Sequence, residues 1–143
     1  DWKNYHLYDF AVFDKSGALS ARLVPGEESL SYNDDAVMMG GHRLSEYFPQ
    51  HKRILYTYDM GDNWEHEIEL VRTIDEHTED SPYLLEAVGQ TPPEDVGGVG
   101  GFIDFHEIVL DPDHPKYTAT KEWAGHWSPD LWEWKARPRV IDC

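Results

Sequence analysis

Apolar and polar positions alternate most regularly between residues 63 and 72. Trp64, His66, Ile68 and Leu70 fall on one side of an extended chain, and Glu65, Glu67 and Glu69 fall on the other. That period of two predicts a strand with one face on a core and one in water. Residues 54–59 form a second run rich in β-branched and aromatic side chains, and Met60-Gly61-Asp62 stands between the two. Glycine and aspartate between two such runs predict a hairpin. Because the glutamate side is uniformly charged, the hairpin is expected to belong to an antiparallel sheet covered on one side only.

The same reading extends along the chain. In residues 5–13, His6, Tyr8, Phe10 and Val12 share one side of a strand; Asp14-Lys15-Ser16-Gly17 is a turn, and residues 18–24 pair back. Residues 25–41 hold Pro25, Gly26, Asn33, Gly40 and Gly41 and are read as irregular, whereas Leu44, Tyr47 and Phe48 recur at helical spacing before Pro49. Residues 75–82 form a charged loop. Residues 89–101, with two prolines and then four glycines, carry the strongest loop signal. Asp104 and Glu107 mark a helix start, with Phe105, Ile108 and Val109 as its buried stripe and Asp111-Pro112 as its end. A second helix is expected over residues 116–124 with Gly125 as its exit, and a third opens at Ser128-Pro129 and carries Leu131, Trp132 and Trp134. Strands first and helices last predict an α+β fold, a mainly antiparallel sheet with helices packed on one face, in a single domain spanning residues 1–143.

Composition narrows the function classes. The chain has 143 residues, 40% of them hydrophobic and 13% aromatic, too many for an acidic disordered tail. Twelve Lys and Arg against 28 Asp and Glu give a formal charge of −16, which disfavours duplex nucleic acid because counterion release needs a basic face. Residues 73–115 contain no Lys or Arg at all, so that stretch is a solvated acidic face or a docking surface for a basic partner or cations. The one cysteine, Cys143, excludes an internal disulfide and a thiolate metal cluster and fits a cytoplasmic location. No apolar run approaches the roughly 20 residues that span a bilayer, so no membrane partner is expected.

Three blocks stand in order: Tyr56-Thr57-Tyr58-Asp59-Met60-Gly61-Asp62-Asn63-Trp64-Glu65-His66, then Pro92-Pro93-Glu94-Asp95-Val96-Gly97-Gly98, then Asp111-Pro112-Asp113-His114-Pro115 followed by Glu122-Trp123-Ala124-Gly125. In order and spacing the chain resembles the plasmid pRiA4b ORF-3-like family, from His6-Leu7-Tyr8-Asp9-Phe10 to the Ser128-Pro129-Asp130-Leu131-Trp132 block. The resemblance implies an α+β fold and an association with prokaryotic plasmids and insertion elements, and it supplies no activity. Family members carry a strand and a helix ahead of the His-Leu-Tyr block, and here only five residues precede it, so the domain is expected to lack that element. Some relatives place cysteines around the Pro-Pro-Glu-Asp loop, where this chain has Thr91 and Val96.

The candidate motif site comprises Asp59, Asp62, Trp64, His66, Glu94 and Asp95. His66 sits beside Trp64 within reach of the turn that carries Asp59 and Asp62, and an imidazole on a carboxylate is the unit of both metal sites and general bases. The alternative is a satisfied imidazole, with Asp59 and Asp62 shaping the turn through bonds to its amides. Glu94 and Asp95 are aimed by the prolines before them, and Asp59, His66, Glu94 and Asp95 together would suit a divalent cation. The alternative for the loop pair is bracing of its backbone. No cofactor is firmly implied beyond that cation. His66-Glu67 and His106-Glu107 lack the second histidine of a zinc-protease helix, the glycine run lacks a following Lys-Ser/Thr, and no serine sits in a nucleophile elbow. Four of the six tryptophans lie within residues 123–134; they form core, or else Trp127, Trp132 and Trp134 mark an interface for a protein partner or a second copy. With no complete catalytic constellation, a non-catalytic binding or adaptor module leads, and a metal-dependent, hydrolase-like enzyme is the alternative.

Overall fold

The computed structural model describes residues 2–3, 5–31, 34–48, 50–51, 53–76, 83–125 and 127, with the backbone at 135–136 and 139–140. The expected third helix, including Trp132 and Trp134, lies outside the described residues, as does most of the charged loop before Tyr83. The fold class is α+β, with a five-stranded, mostly antiparallel sheet and four helices among the described residues. Within it the backbone gathers into two compact units, residues 4–73 and residues 1–3 with 74–143.

The first unit holds β1 (Tyr8–Phe13), β2 (Leu19–Val24), α1 (Glu27–Leu30), β3 (Ala36–Met38), α2 (Leu44–Tyr47), β4 (Arg53–Tyr58) and β5 (Trp64–Glu69). Strand order is β3-β2-β1-β4-β5, all neighbours antiparallel except β3, which runs parallel to β2. The turn from β1 to β2 is built by one carboxylate. Asp14 Oδ1 accepts from the Ser16 amide at 2.8 Å, the Ser16 hydroxyl at 2.6 Å and the Ala18 amide at 3.0 Å, and Gly17 takes φ 85°. Register then stacks like on like: Tyr8, Phe10 and Val12 oppose Tyr58, Tyr56 and Ile54, which oppose Trp64, His66 and Ile68. Val12 and Ile54 are sealed at the centre of this face. Each contributes about 1.5–3 kcal/mol by leaving water.

Coverage differs from the one-sided sheet that the hairpin predicts. On β5 the alternation holds, with Glu65, Glu67 and Glu69 exposed and Trp64, His66 and Ile68 half-buried. The central strands bury their other face too, through Asp9, Ala11, Val24 and Thr57. β5 is an edge strand, so its pattern reports the edge and not the middle of the sheet. Residues 25–41, read as irregular, contain α1 and β3; elements of four and three residues are too short to show a period between the flanking glycines and Asn33.

The second unit holds β6 (Tyr83–Leu84), β7 (Ala87–Val88), α3 (Gly98–Leu110), α4 (Tyr117–Ala124), β8 (Lys135–Ala136) and β9 (Arg139–Val140). β6 pairs with β9 and β7 with β8, both antiparallel, so chain entering the helices pairs with chain leaving them. Strands therefore also follow the helices, which two-residue ladders could not announce in the sequence.

α3 begins at Gly98, not at Asp104. Glycine is a poor helix former, so this run reads as loop, yet a methyl group at Gly101 would run into the Val96 carbonyl. The glycines permit a close turn of helix on loop. Phe105, Val109 and Trp127 form the core of this unit, with Val96, Phe102 and Ala124 packed around them. The Phe105 and Trp127 rings meet edge to face at 4.8 Å, and Trp127 Nε1 donates to the Thr91 carbonyl at 3.1 Å. Trp127 is thus core and leaves the expected interface set. α4 ends at Gly125, φ 60°, where its exit was expected.

Candidate functional site

The β4 to β5 turn is organised by Asp59, which is buried with φ 57°. Its Oδ1 accepts from the Gly61 amide at 2.8 Å and the Asp62 amide at 3.2 Å, and its carbonyl accepts the Asn63 amide at 2.6 Å. Asn63 also lies in the left-handed region, φ 54°, which asparagine tolerates better than most residues. The bracing role open to Asp59 in the sequence is therefore real. Its second oxygen has a different neighbour: Oδ2 lies 3.7 Å from Nε2 of His6. The Asp59 amide donates to the Leu7 carbonyl at 2.9 Å, which holds the residues before β1 against this turn. A carboxylate fixed by amides on one oxygen and facing an imidazole with the other can hold a cation or position a proton.

His66 is placed otherwise. Its Nδ1 donates to the Trp64 carbonyl at 3.1 Å, and its ring lies 5.4 Å from that of Tyr56. Tyr56 also meets Phe10 at 4.8 Å and Tyr8 at 5.8 Å, giving a half-buried aromatic row across three strands. Burial first, and the neighbouring Tyr8 phenol second, raise the Tyr56 hydroxyl above its ordinary value of 10.0. Asp62 contributes its amide to the turn, and Trp64 stands opposite Tyr58. The imidazole set against Asp59 is thus His6. The signal was present in the chain, since His6 opens the His-Leu-Tyr-Asp-Phe block, but strand parity assigned it to the aromatic face.

Glu94 and Asp95 belong to the second unit. Glu94 Oε2 accepts the Lys3 amide at 3.1 Å, and Trp2 Nε1 donates to the Pro92 carbonyl at 3.1 Å. With Trp127 on Thr91, three contacts fasten the Pro-Pro-Glu-Asp loop inside its own unit. Asp95 is exposed at φ 56°, and Gly97 follows at φ 95°. For Glu94 the bracing alternative holds.

The second unit also displays a patterned surface. On α3, Val99, Ile103 and Leu110 recur at helical spacing, and all three are more than half exposed. Gly100, Asp104 and Glu107 flank them on the exposed side, while Phe105 and Val109 point to the core. An apolar stripe beside carboxylates is the complement of a basic amphipathic segment.

The profile of the plasmid pRiA4b ORF-3-like proteins matches residues 1–136. The chain belongs to this family. The pRiA4b ORF-3-like chain is 38% identical over 128 residues to "Uncharacterized protein y4hQ" of Sinorhizobium fredii (strain NBRC 101917 / NGR234), covering 87% of this chain and 61% of that protein. It therefore spans about three fifths of that relative's length. Among solved structures it resembles the protein of unknown function MM3350 from Methanosarcina mazei Go1, with 33% identity and a TM-score of 0.71, over 90% of this chain and 71% of that one. Like the blocks that first suggested the family, these matches run through both compact units. No helix among the described residues is long and apolar enough to cross a membrane.

Proposed function

We propose that this pRiA4b ORF-3-like chain is a non-catalytic binding module, acting in the prokaryotic cytoplasm in association with plasmids or mobile elements, and that its partner is a basic amphipathic protein segment. The observation that carries this reading is the exposed stripe of Val99, Ile103 and Leu110 on α3. Around it, residues 73–115 supply acid without one Lys or Arg. Apolar burial would provide affinity, and the acidic flank would select the partner and speed encounter. The test is titration with a Lys-rich amphipathic peptide and with a Glu-rich peptide of the same apolar pattern, followed by amide shifts. The basic peptide is expected to move residues 99–111, and Ile103→Asp to weaken binding about tenfold or more. Equal response to both peptides, or shifts that avoid α3, would overturn the reading.

A second reading, a metal-dependent hydrolase-like enzyme, is favoured by the Asp59 to His6 approach of 3.7 Å. In it the cation is held at Asp59 with His6 as the nitrogen ligand. Calorimetric titration with Mn²⁺ and Zn²⁺ tests it. A stoichiometric ion lost in both Asp59→Asn and His6→Ala supports it, and the absence of saturable binding removes it.

A further inference from the structure

Where β1 ends and β4 begins, the first unit carries an open cavity of about 630 Å³. Its apolar floor is Phe13 and Leu55, and its polar lining includes Asp14, Lys15, His51 and Arg53. In a chain of charge −16, Lys15 and Arg53 stand together in this concave place. One acid, Asp14, also lines the cavity, with its Oδ1 turned to donors of its own turn. Asp14 accepts three hydrogen bonds from its own turn, and the Ser16 hydroxyl, followed by the Ala18 and Ser16 amides, holds its carboxyl below its ordinary value.

The donors around the cavity differ in their commitments. His51 Nδ1 donates to the Phe13 carbonyl at 2.9 Å, which fixes the tautomer and leaves Nε2 as the ring's remaining polar atom. Arg53 Nε donates to Glu67 Oε1 at 2.8 Å, leaving its two terminal nitrogens as the side of the guanidinium suited to an oxyanion. Lys15 forms no ion pair among the described residues. The volume falls within the usual range for small-molecule sites, about 300–1,000 Å³, and an apolar floor under a few convergent polar groups is their usual lining.

We propose that this cavity binds a small organic anion, a flat apolar body bearing a carboxylate or phosphate, with the body on Phe13 and Leu55 and the charge between Lys15 and Arg53. The inference stands apart from the partner reading of α3, which concerns the other unit. Phenyl phosphate and benzoate are the probes, benzyl alcohol is the neutral control, and amide shifts are the readout. Binding is expected to move residues 13–17 and 50–55. Lys15→Gln and Arg53→Gln should each weaken it about fivefold or more, with Lys15→Arg retaining it. The turn is held through Asp14 and not the Lys15 side chain, so Lys15→Gln keeps the fold, which an unchanged thermal melt verifies. A preference for phenyl phosphate assigns the head group as phosphate, and a preference for benzoate assigns it as carboxylate. The proposal is overturned if neither anion binds at millimolar concentration, if benzyl alcohol binds as well, or if the two glutamine variants bind undiminished.

Discussion

Asp14 and Asp59 show how far a single side chain can decide local geometry. Each folds its turn by accepting backbone amides on one oxygen. Such bonds favour the charged carboxylate, and the carboxyl of Asp14 is held below its usual 3.8. A carboxylate depressed in the folded state stabilises the protein above its unfolded pKa, and that contribution disappears as pH falls through the folded one. Asp14→Ala should therefore lower the melting temperature at pH 7, and the deficit should narrow as pH falls below the ordinary 3.8 and the native carboxyl takes up its proton. A deficit independent of pH would assign the whole effect to turn shape. At this scale the sequence was readable where chemistry is local: the turn residues were recognisable because an aspartate and the amides it binds are two to four positions apart. The pairing of His6 with Asp59 was not, because it depends on Leu7 reaching across to the hairpin.

Elements are decided by contacts that cross the chain. In the middle of the sheet, Asp9 is almost wholly buried and ion-paired with Arg22, while its Oδ1 has no hydrogen-bond partner among the described residues. Removing one member of a buried pair costs about 3–5 kcal/mol, and the 28% exposure of the Arg22 side chain places Arg22→Leu below that range, at about 2–3 kcal/mol. Asp9→Leu with Arg22→Leu should recover most of that loss in a denaturant titration, since two apolar groups leave no stranded charge. On α3, Gly101→Ala should cost about 1–3 kcal/mol, because a backbone carbonyl cannot move aside as a side chain does. An unchanged midpoint would mean that the start of α3 is free to shift. These features explain why the long strands were legible and the start of α3 was not. Alternation at Trp64 to Glu69 reports one strand's own exposure, whereas Gly98 to Gly101 are helical only because the loop lies so close.

For the whole molecule, the charge of −16 acts on every part at once. Self-repulsion opposes compaction, and salt screens it, shortening the Debye length from about 30 Å at 0.01 M to about 10 Å at 0.1 M. Over that range the melting temperature should rise by a few degrees; a flat or falling curve would show that local ion pairs such as Arg22 with Asp9 outweigh the net field. The charge and the α+β class were both open to reading from the chain. Its division into two units was not, because β6 and β7 are completed by backbone some fifty residues later, at β8 and β9.

The glutamates of β5 have a further meaning once its position is known. A sheet with free margins invites strand addition by another copy, the first step toward fibres. One margin, β3, is three residues long and offers little to copy. The other, β5, is six residues long, and a second β5 laid against it in either direction would bring two rows of Glu65, Glu67 and Glu69 into register or near it. The repulsion expected from this solvent-facing row therefore also opposes that addition.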